Sequence, residues 1–243
     1  MTQTVLISGA NRGIGLEVAT QLAQQGNQVI IGARQQAAGE KTVADLVASG
    51  IDGSQLDSVQ LDVTDDASVT VAAAEIRQSH PDLDLLVNNA GIAGDMTKPA
   101  LATTAADYAA TLEVNFYGSL RMIQAFMPIL ETNNGQIANI TGLGTPSVFY
   151  NPAAYSVSKA TLNALIQSLA VDIVKTKRPV SIYGIFPGGV STDINNHMEG
   201  PFMKTLAEGS KAIVDILTDE QPHNGEILGS DGQVLSSIER QQR

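Results

Sequence analysis

A doubly wound α/β sheet of about seven parallel strands, helices on both faces, is the fold class this chain predicts. Short apolar runs alternate with longer helix-period segments from one end of the 243 residues to the other. The runs are continuously apolar, as strands buried on both faces are. No composition break, repeat or linker interrupts the alternation, so a single domain spanning 1–243 is expected.

In chain order, strands are predicted at 4–8, 28–33, 58–61, 83–87, 136–140, 180–185 and 226–228. Helices are predicted near 14–25, 37–49, 65–79, 104–132, 153–176 and 204–218. Val5-Leu6-Ile7 forms the first strand and runs straight into a glycine cluster. Asp65-Asp66 reads as a helix start and Asp82/Asp84 as turn acids. The segment carrying Leu120, Met122, Ile123, Phe126 and Met127, and the helix after Asn151-Pro152, are apolar around much of their circumference. Helices of that kind are buried on more than one side, and a second subunit would supply the second side. A homodimer or homotetramer is expected.

Composition bounds the function. Apolar residues make up 43% of the chain, enough for a full core, although Trp is absent. The net charge of −11 argues against nucleic acid or an anionic membrane as partner. Without cysteine there is no disulfide, thiol nucleophile or thiolate metal site. No signal-peptide pattern and no run of the roughly 18 apolar residues that spans a bilayer stands out, which points to a cytoplasmic protein. His80, His197 and His223 lie far apart in sequence and lack metal-ligand spacing, so no metal is expected. His80 and His223, each beside a proline, read as surface residues, and His197 as a possible substrate contact. No Gly-x-Ser-x-Gly elbow supports a hydrolase.

Two motifs carry chemistry. Ser8-Gly9-Ala10-Asn11-Arg12-Gly13-Ile14-Gly15 lies between the first strand and first helix. Glycines there let the backbone turn sharply and approach a pyrophosphate, while the helix start offers unpaired N–H groups. In such Rossmann-type sites an acid about 20 residues on selects NAD. Here the second strand ends Gly32-Ala33-Arg34, and Arg34 with Arg12 suits a 2′-phosphate, so NADP(H) is expected. The second motif is Tyr155-Ser156-Val157-Ser158-Lys159. Its tyrosine and lysine share one helix face, where the ammonium can favour ionisation of the phenol. A phenol so primed can protonate a carbonyl oxygen near neutral pH.

With these residues, the chain resembles the short-chain dehydrogenase/reductase family over essentially its whole length. Asn88-Asn89-Ala90-Gly91, Asp62-Val63 after the third strand, Asn115 in Val114-Asn115-Phe116-Tyr117-Gly118, and Pro187-Gly188-Gly189-Val190-Ser191-Thr192 match its further motifs. Glu208-Gly209-Ser210-Lys211 and Asn224-Gly225-Glu226 are similar to its carbonyl-reductase-like branch. The resemblance implies that Tyr155 protonates substrate oxygen, and that Lys159 lowers the phenol's pKa and binds the nicotinamide ribose. It implies that Asn115 holds a relay water, and that Gly9, Asn11, Arg12, Gly13, Ile14, Gly15, Asp62, Val63, Asn88, Ala90 and Gly91 line the cofactor site. Asn88 could instead be wholly structural. Pro187, Gly188, Val190 and Thr192 would flank the nicotinamide, Thr192 alternatively capping the next turn. Substrate would lie among Ser147, Phe149, Tyr150, Met198 and Phe202, an apolar set suited to a small or medium ketone, aldehyde or diketone. Residues 193–203, containing Gly200-Pro201, would form a mobile lid.

The chain departs from the family at one place. Thirteen residues before Tyr155, where the family keeps a serine, stands Gly142. Losing such a donor typically costs about 10²–10³ in rate. Thr141 could substitute if the glycine lets the chain bend, or Ser147 could swing in from the loop. Otherwise no hydroxyl is present, leaving a slow enzyme or a protein that binds the cofactor without turning it over.

Overall fold

The computed structural model describes residues 2–145, 151–195, 197–219 and 221–238. Its main sheet has eight strands: β1 (Thr4–Ser8), β2 (Gln28–Ala33), β3 (Leu56–Gln60), β4 (Leu85–Asn88), β5 (Gln136–Ile140), β6 (Ser181–Phe186), β9 (Ile227–Gly229) and β10 (Val234–Ser236). Their order across the sheet is β10-β9-β6-β5-β4-β1-β2-β3. All pairs are parallel except β10 on β9. The antiparallel edge strand β10 is not foreseen by the sequence, because its apolar part is only the pair Val234-Leu235. A separate ribbon pairs β7 (Gly189–Val190) with β8 (Met203–Lys204).

The helices are α1 (Gly13–Gln24), α2 (Gln36–Ala48), α3 (Asp66–Ser79), α4 (Ala105–Leu112), α5 (Ser119–Thr132), α6 (Ala153–Thr176) and α7 (Leu206–Leu217). On one face of the sheet Ile76, Phe126, Leu162 and Ile166 from α3, α5 and α6 form the core. On the other, Val18, Leu22, Leu46, Ile213 and Leu217 come from α1, α2 and α7. Local chemistry sets several boundaries. Thr104 with Asp107 and Thr205 with Glu208 form reciprocal capping boxes at the starts of α4 and α7, and Asp65 caps α3.

Three expectations need correction. The continuous helix at 104–132 is broken by a π-helical stretch, Glu113–Gly118, between α4 and α5. Asn115 lies in that widened turn, and its side chain reaches across to Ile92 rather than along its own helix. His80 and His223 are not surface residues: their side chains are only 13% and 12% exposed. His80 pairs with Asp57 at 2.9 Å, and His223 is gripped by Asp219 and Glu226 at 2.9 and 2.7 Å. Finally, α6 is itself long and apolar enough to cross a membrane by length and composition. Its Leu162, Ile166, Ala170 and Ile173 are buried in the core, although only 33% of its most apolar stretch is buried.

The chain visits β1, β2 and β3 in one direction and β4, β5 and β6 in the other. This reversal opens a crevice beyond the C-terminal ends of β1 and β4, the place where open α/β sheets bind ligands.

Candidate active site

The crevice floor is backbone in close contact. Gly9 and Gly13 have φ of +65° and +56°, which glycine alone adopts without strain. A Cβ on Gly15 would collide with the Asn89 amide and come within 2.7 Å of the Gly9 carbonyl oxygen. Asn89 donates to the carbonyls of Ser8 and Gly9 at 2.9 and 3.1 Å. The Ser8 hydroxyl accepts from the N–H groups of Asn89 and Ala90 at 3.0 and 3.1 Å. The turn after β1 and the end of β4 are thereby stitched together. The sequence gives neither Ser8 nor Asn89 a role of its own, although each stands inside a motif that it does single out.

This corner fits an anionic nucleotide. Helix α1 begins at Gly13 with no side-chain cap and no acid in its first turn, leaving its dipole end open. Asn11 and Ile14 are half-buried beside it, and Arg12 is exposed with its guanidinium 3.8 Å from Asp193. Arg34 is exposed at the end of β2, where α2 also starts without a side-chain cap or a first-turn acid. Asp62 lies nearby. Although partial burial opposes its ionisation, the hydroxyl and N–H of Thr64 and the Arg34 charge hold its carboxyl below the ordinary range. Val63 packs against Gly118, whose absent side chain admits it. Gly91 lies against Asn115, where a Cβ would stand 3.2 Å from Oδ1.

Asn88 is almost fully buried, and its amide donates to Asn139 Oδ1 at 3.0 Å. Asn139 in turn donates to the Tyr183 carbonyl at 3.1 Å. This polar ladder crosses β4, β5 and β6 and gives Asn88 a structural task; Asn139 was not anticipated.

Helix α6 carries the reactive pair. Lys159 is buried, its Nζ 5.6 Å from the Tyr155 ring centroid and donating to the Ile140 carbonyl at 2.8 Å. Burial lowers its pKa from 10.5 to about 8. Asn115 meets α6 from the π-helical turn: Nδ2 donates to Ser158 Oγ at 2.9 Å and to the Ile92 carbonyl at 2.8 Å, while Oδ1 accepts from the Ile92 N–H at 2.8 Å. The turn is thus locked one residue from Lys159.

After β5 the chain leaves the sheet and lies along α6. A Cβ on Gly142 would stand 3.5 and 3.6 Å from Lys159 Cγ and Cβ, so position 142 faces the Lys159 stem, and the described residues leave room there for a side chain. Thr141 is buried, and its hydroxyl donates to Asn163 Oδ1 at 2.6 Å. Asn163 lies two helical turns beyond Tyr155, about 12 Å along α6. The bend that would turn Thr141 inward exists, but it delivers the hydroxyl to Asn163. Ser147, Phe149 and Tyr150 lie outside the described residues.

On the far side, Lys204 Nζ donates to the Pro187 carbonyl at 3.3 Å and lies 3.6 Å from where a Gly188 Cβ would be. Val190 is buried against Gly209. Thr192 participates through its backbone, its N–H donating to Asn195 Oδ1 and its carbonyl accepting from Asn195 and His197. Beyond it, Met198 and Phe202 are exposed, Phe202 by 90%. His197 pairs with Asp193 at 2.9 Å.

Comparison with known proteins gives the family and the fold. Residues 3–200 match the model of the short chain dehydrogenase family. The chain is 32% identical over 235 residues to the short-chain dehydrogenase anuI of Penicillium roqueforti, covering 90% of this chain and 89% of that protein. It is 31% identical to an NADPH-dependent 1-acyldihydroxyacetone phosphate reductase of Schizosaccharomyces pombe, covering 89% and 74% of the two chains. Among solved structures, the NADPH-bound carbonyl reductase from chicken fatty liver superposes with a TM-score of 0.84 at 27% identity, over 97% of this chain and 99% of that one. The chain belongs to the short-chain dehydrogenase/reductase family of oxidoreductases, built on the Rossmann-type fold.

Proposed function

We propose that this chain is an NADP(H)-dependent reductase of small to medium apolar ketones, aldehydes or diketones, acting reversibly. One observation carries the reading: Tyr155 and the buried Lys159 share one face of α6, with Nζ 5.6 Å from the phenol ring centroid. Support for NADP(H) comes from Arg12 and Arg34 beside uncapped helix starts, and from the NADPH named in the yeast reductase and the chicken structure.

When bound, the nicotinamide supplies or accepts hydride. Tyr155 gives the proton to the substrate oxygen. Lys159, whose ammonium lies near the ring, favours the ionised phenol and so makes that proton easier to transfer. Asn115, braced by Ile92 and Ser158, holds the π-helical turn so that a relay water can be kept near Lys159. Gly9, Gly13 and Gly15 would admit the pyrophosphate, Arg12 and Arg34 would hold the 2′-phosphate of the adenosine ribose, and Asp62 with Val63 would border the adenine. Met198 and Phe202, with Ser147, Phe149 and Tyr150, would contact an apolar substrate, and the segment at 193–203 would act as its lid. The protein is cytoplasmic and a homodimer or homotetramer. Tyr117, Val157 and Val174, exposed around α5 and α6, offer the apolar surface for a second subunit.

The test is NADPH absorbance against a panel of ketones, aldehydes and diketones, with Tyr155→Phe as control. Turnover in the wild type and a loss of about 10²–10⁴ in the variant is expected. Comparable efficiency with NADH would remove the 2′-phosphate assignment. A second reading, a cofactor-binding protein with weak chemistry, is favoured by Gly142 and by the commitment of the Thr141 hydroxyl to Asn163. NADPH binding without oxidation across the panel would select it.

A further inference from the structure

The end of β5 and the segment after it are held against α6 at three points, and two of them serve no purpose assigned so far. Lys159 donates to the Ile140 carbonyl at 2.8 Å. Gly144, with φ of +65°, presses on Ala160 so closely that a Cβ there would lie 2.7 Å from its Cα and N. Between them Asn163 engages both ends of one amide: Nδ2 donates to the Gly142 carbonyl at 2.8 Å, and Oδ1 accepts from the Thr141 hydroxyl at 2.6 Å. Tyr155, Lys159 and Asn163 follow one another at four-residue spacing, so all three share one face of α6.

We infer that Asn163 is a positioning residue for the proposed reduction: by clamping Thr141 and Gly142 onto α6 it fixes the backbone that carries the Lys159 acceptor. The inference rests on the reductase reading above. Its physical ground is the make-up of the corner. Gly142 has no side chain to hold its own place, and glycine is the residue freest to wander. Ile140, whose carbonyl receives the Lys159 ammonium, lies only two residues upstream of Gly142. The Thr141 N–H, in the same peptide unit as the Ile140 carbonyl, donates to the Ile185 carbonyl at 2.9 Å and holds its β6 side. If the Gly142 carbonyl loses its donor, the α6 side of the backbone beyond Thr141 loosens and the Lys159 acceptor tilts with it. Asn163 thus acts through Lys159 and does not touch the substrate. A carboxylate cannot replace the amide, because it still accepts from Thr141 but presents oxygen to the Gly142 carbonyl.

The experiment compares wild type, Asn163→Ala and the nearly isosteric Asn163→Asp, with kcat expressed per NADPH-binding site so that misfolded protein does not count. A loss in kcat of about tenfold or more in both variants, with KM for NADPH held within about twofold, is expected for a misplacement of this kind. Active wild type with per-site kcat unchanged in either variant overturns the inference and leaves the reductase reading intact. Wild type that binds NADPH but turns over nothing on the panel overturns the reductase reading, and this role with it. If neither variant can be obtained folded, the clamp serves folding as such and the positioning role is overturned.

Discussion

The two corners of the crevice are built on opposite principles. At the turn after β1, glycine is demanded by contact: at Gly15 any side chain would strike Asn89 and the Gly9 carbonyl. At the end of β5, Gly142 stands in ordinary space, with 3.5 Å to the nearest atom of Lys159. One glycine is required by packing, and the other is an omission. The first corner is rigid because its hydrogen bonds run between backbone and the fixed side chains of Ser8 and Asn89. The second is held to β6 as far as Thr141, whose N–H donates to the Ile185 carbonyl, and from there two side chains of α6, Lys159 and Asn163, reach back to it.

The largest expected effect tests whether the second corner is shaped by chemistry at the expense of stability. Lys159 is buried, and its folded pKa of about 8 lies below the usual 10.5. As pH rises from about 8 to 10.5, the folded chain sheds this proton while the unfolded chain keeps it, so stability increases across that window. Below about 8 the full cost of burying the ammonium is present, an upper figure of roughly 3 kcal/mol. Lys159→Met should therefore cut turnover by about 10² or more. It should also raise stability at pH 7 by about 1–3 kcal/mol, less whatever is lost by leaving the Ile140 carbonyl unpaired. Urea unfolding at pH 7 and pH 10 reads the sign: the gain should shrink at the higher pH. Equal gains at both would mean that the buried charge is not its source.

Gly15→Ala comes next and probes the first corner. The added methyl forces either the Gly9 carbonyl or the Asn89 amide to move, and both belong to the stitching of β1 to β4. A loss of about 1–3 kcal/mol in stability is expected from overpacking. NADPH affinity should fall by tenfold or more, measured by fluorescence titration, about 1.4 kcal/mol or greater. Unaltered affinity would show that this corner is far softer than its contacts imply.

The same contrast explains what was legible in the sequence. Seven strands, six helical regions and the glycine turn could be read because apolar periodicity and backbone sterics leave few alternatives. Tyr155 and Lys159 could be read because their spacing implies one helix face. Asn163 continues that spacing, so a signal existed, but its partners depend on how the chain leaves β5, and no local pattern encodes that path. The π-helical turn around Asn115 was equally hidden: a widened turn adds no residue type that helix periodicity would reject. For Thr141, strand alternation raised the right question, and only the tertiary contact with Asn163 answers where its hydroxyl goes.

Gly142→Ser is the smallest of the three effects and the most discriminating. Among the described residues a Cβ there meets only Lys159 Cβ and Cγ, at ordinary van der Waals distance, and φ lies outside the left-handed region that would strain a side chain. The fold should therefore accept the serine with little change in melting temperature. Its hydroxyl would enter the space beside the Lys159 stem, where a donor can meet charge developing on the substrate oxygen. Removing such donors elsewhere costs about 10²–10³, but this corner was not shaped around one, so a gain of about tenfold in kcat is the reasonable expectation. The gain should appear in kcat with KM for NADPH unchanged, since the new group lies away from the glycine-lined corner. If kcat stays the same while stability is preserved, an existing hydroxyl already does this work, and Ser147 becomes the residue to replace. If stability falls steeply, Gly142 is required by packing after all, and the distinction between the two corners fails.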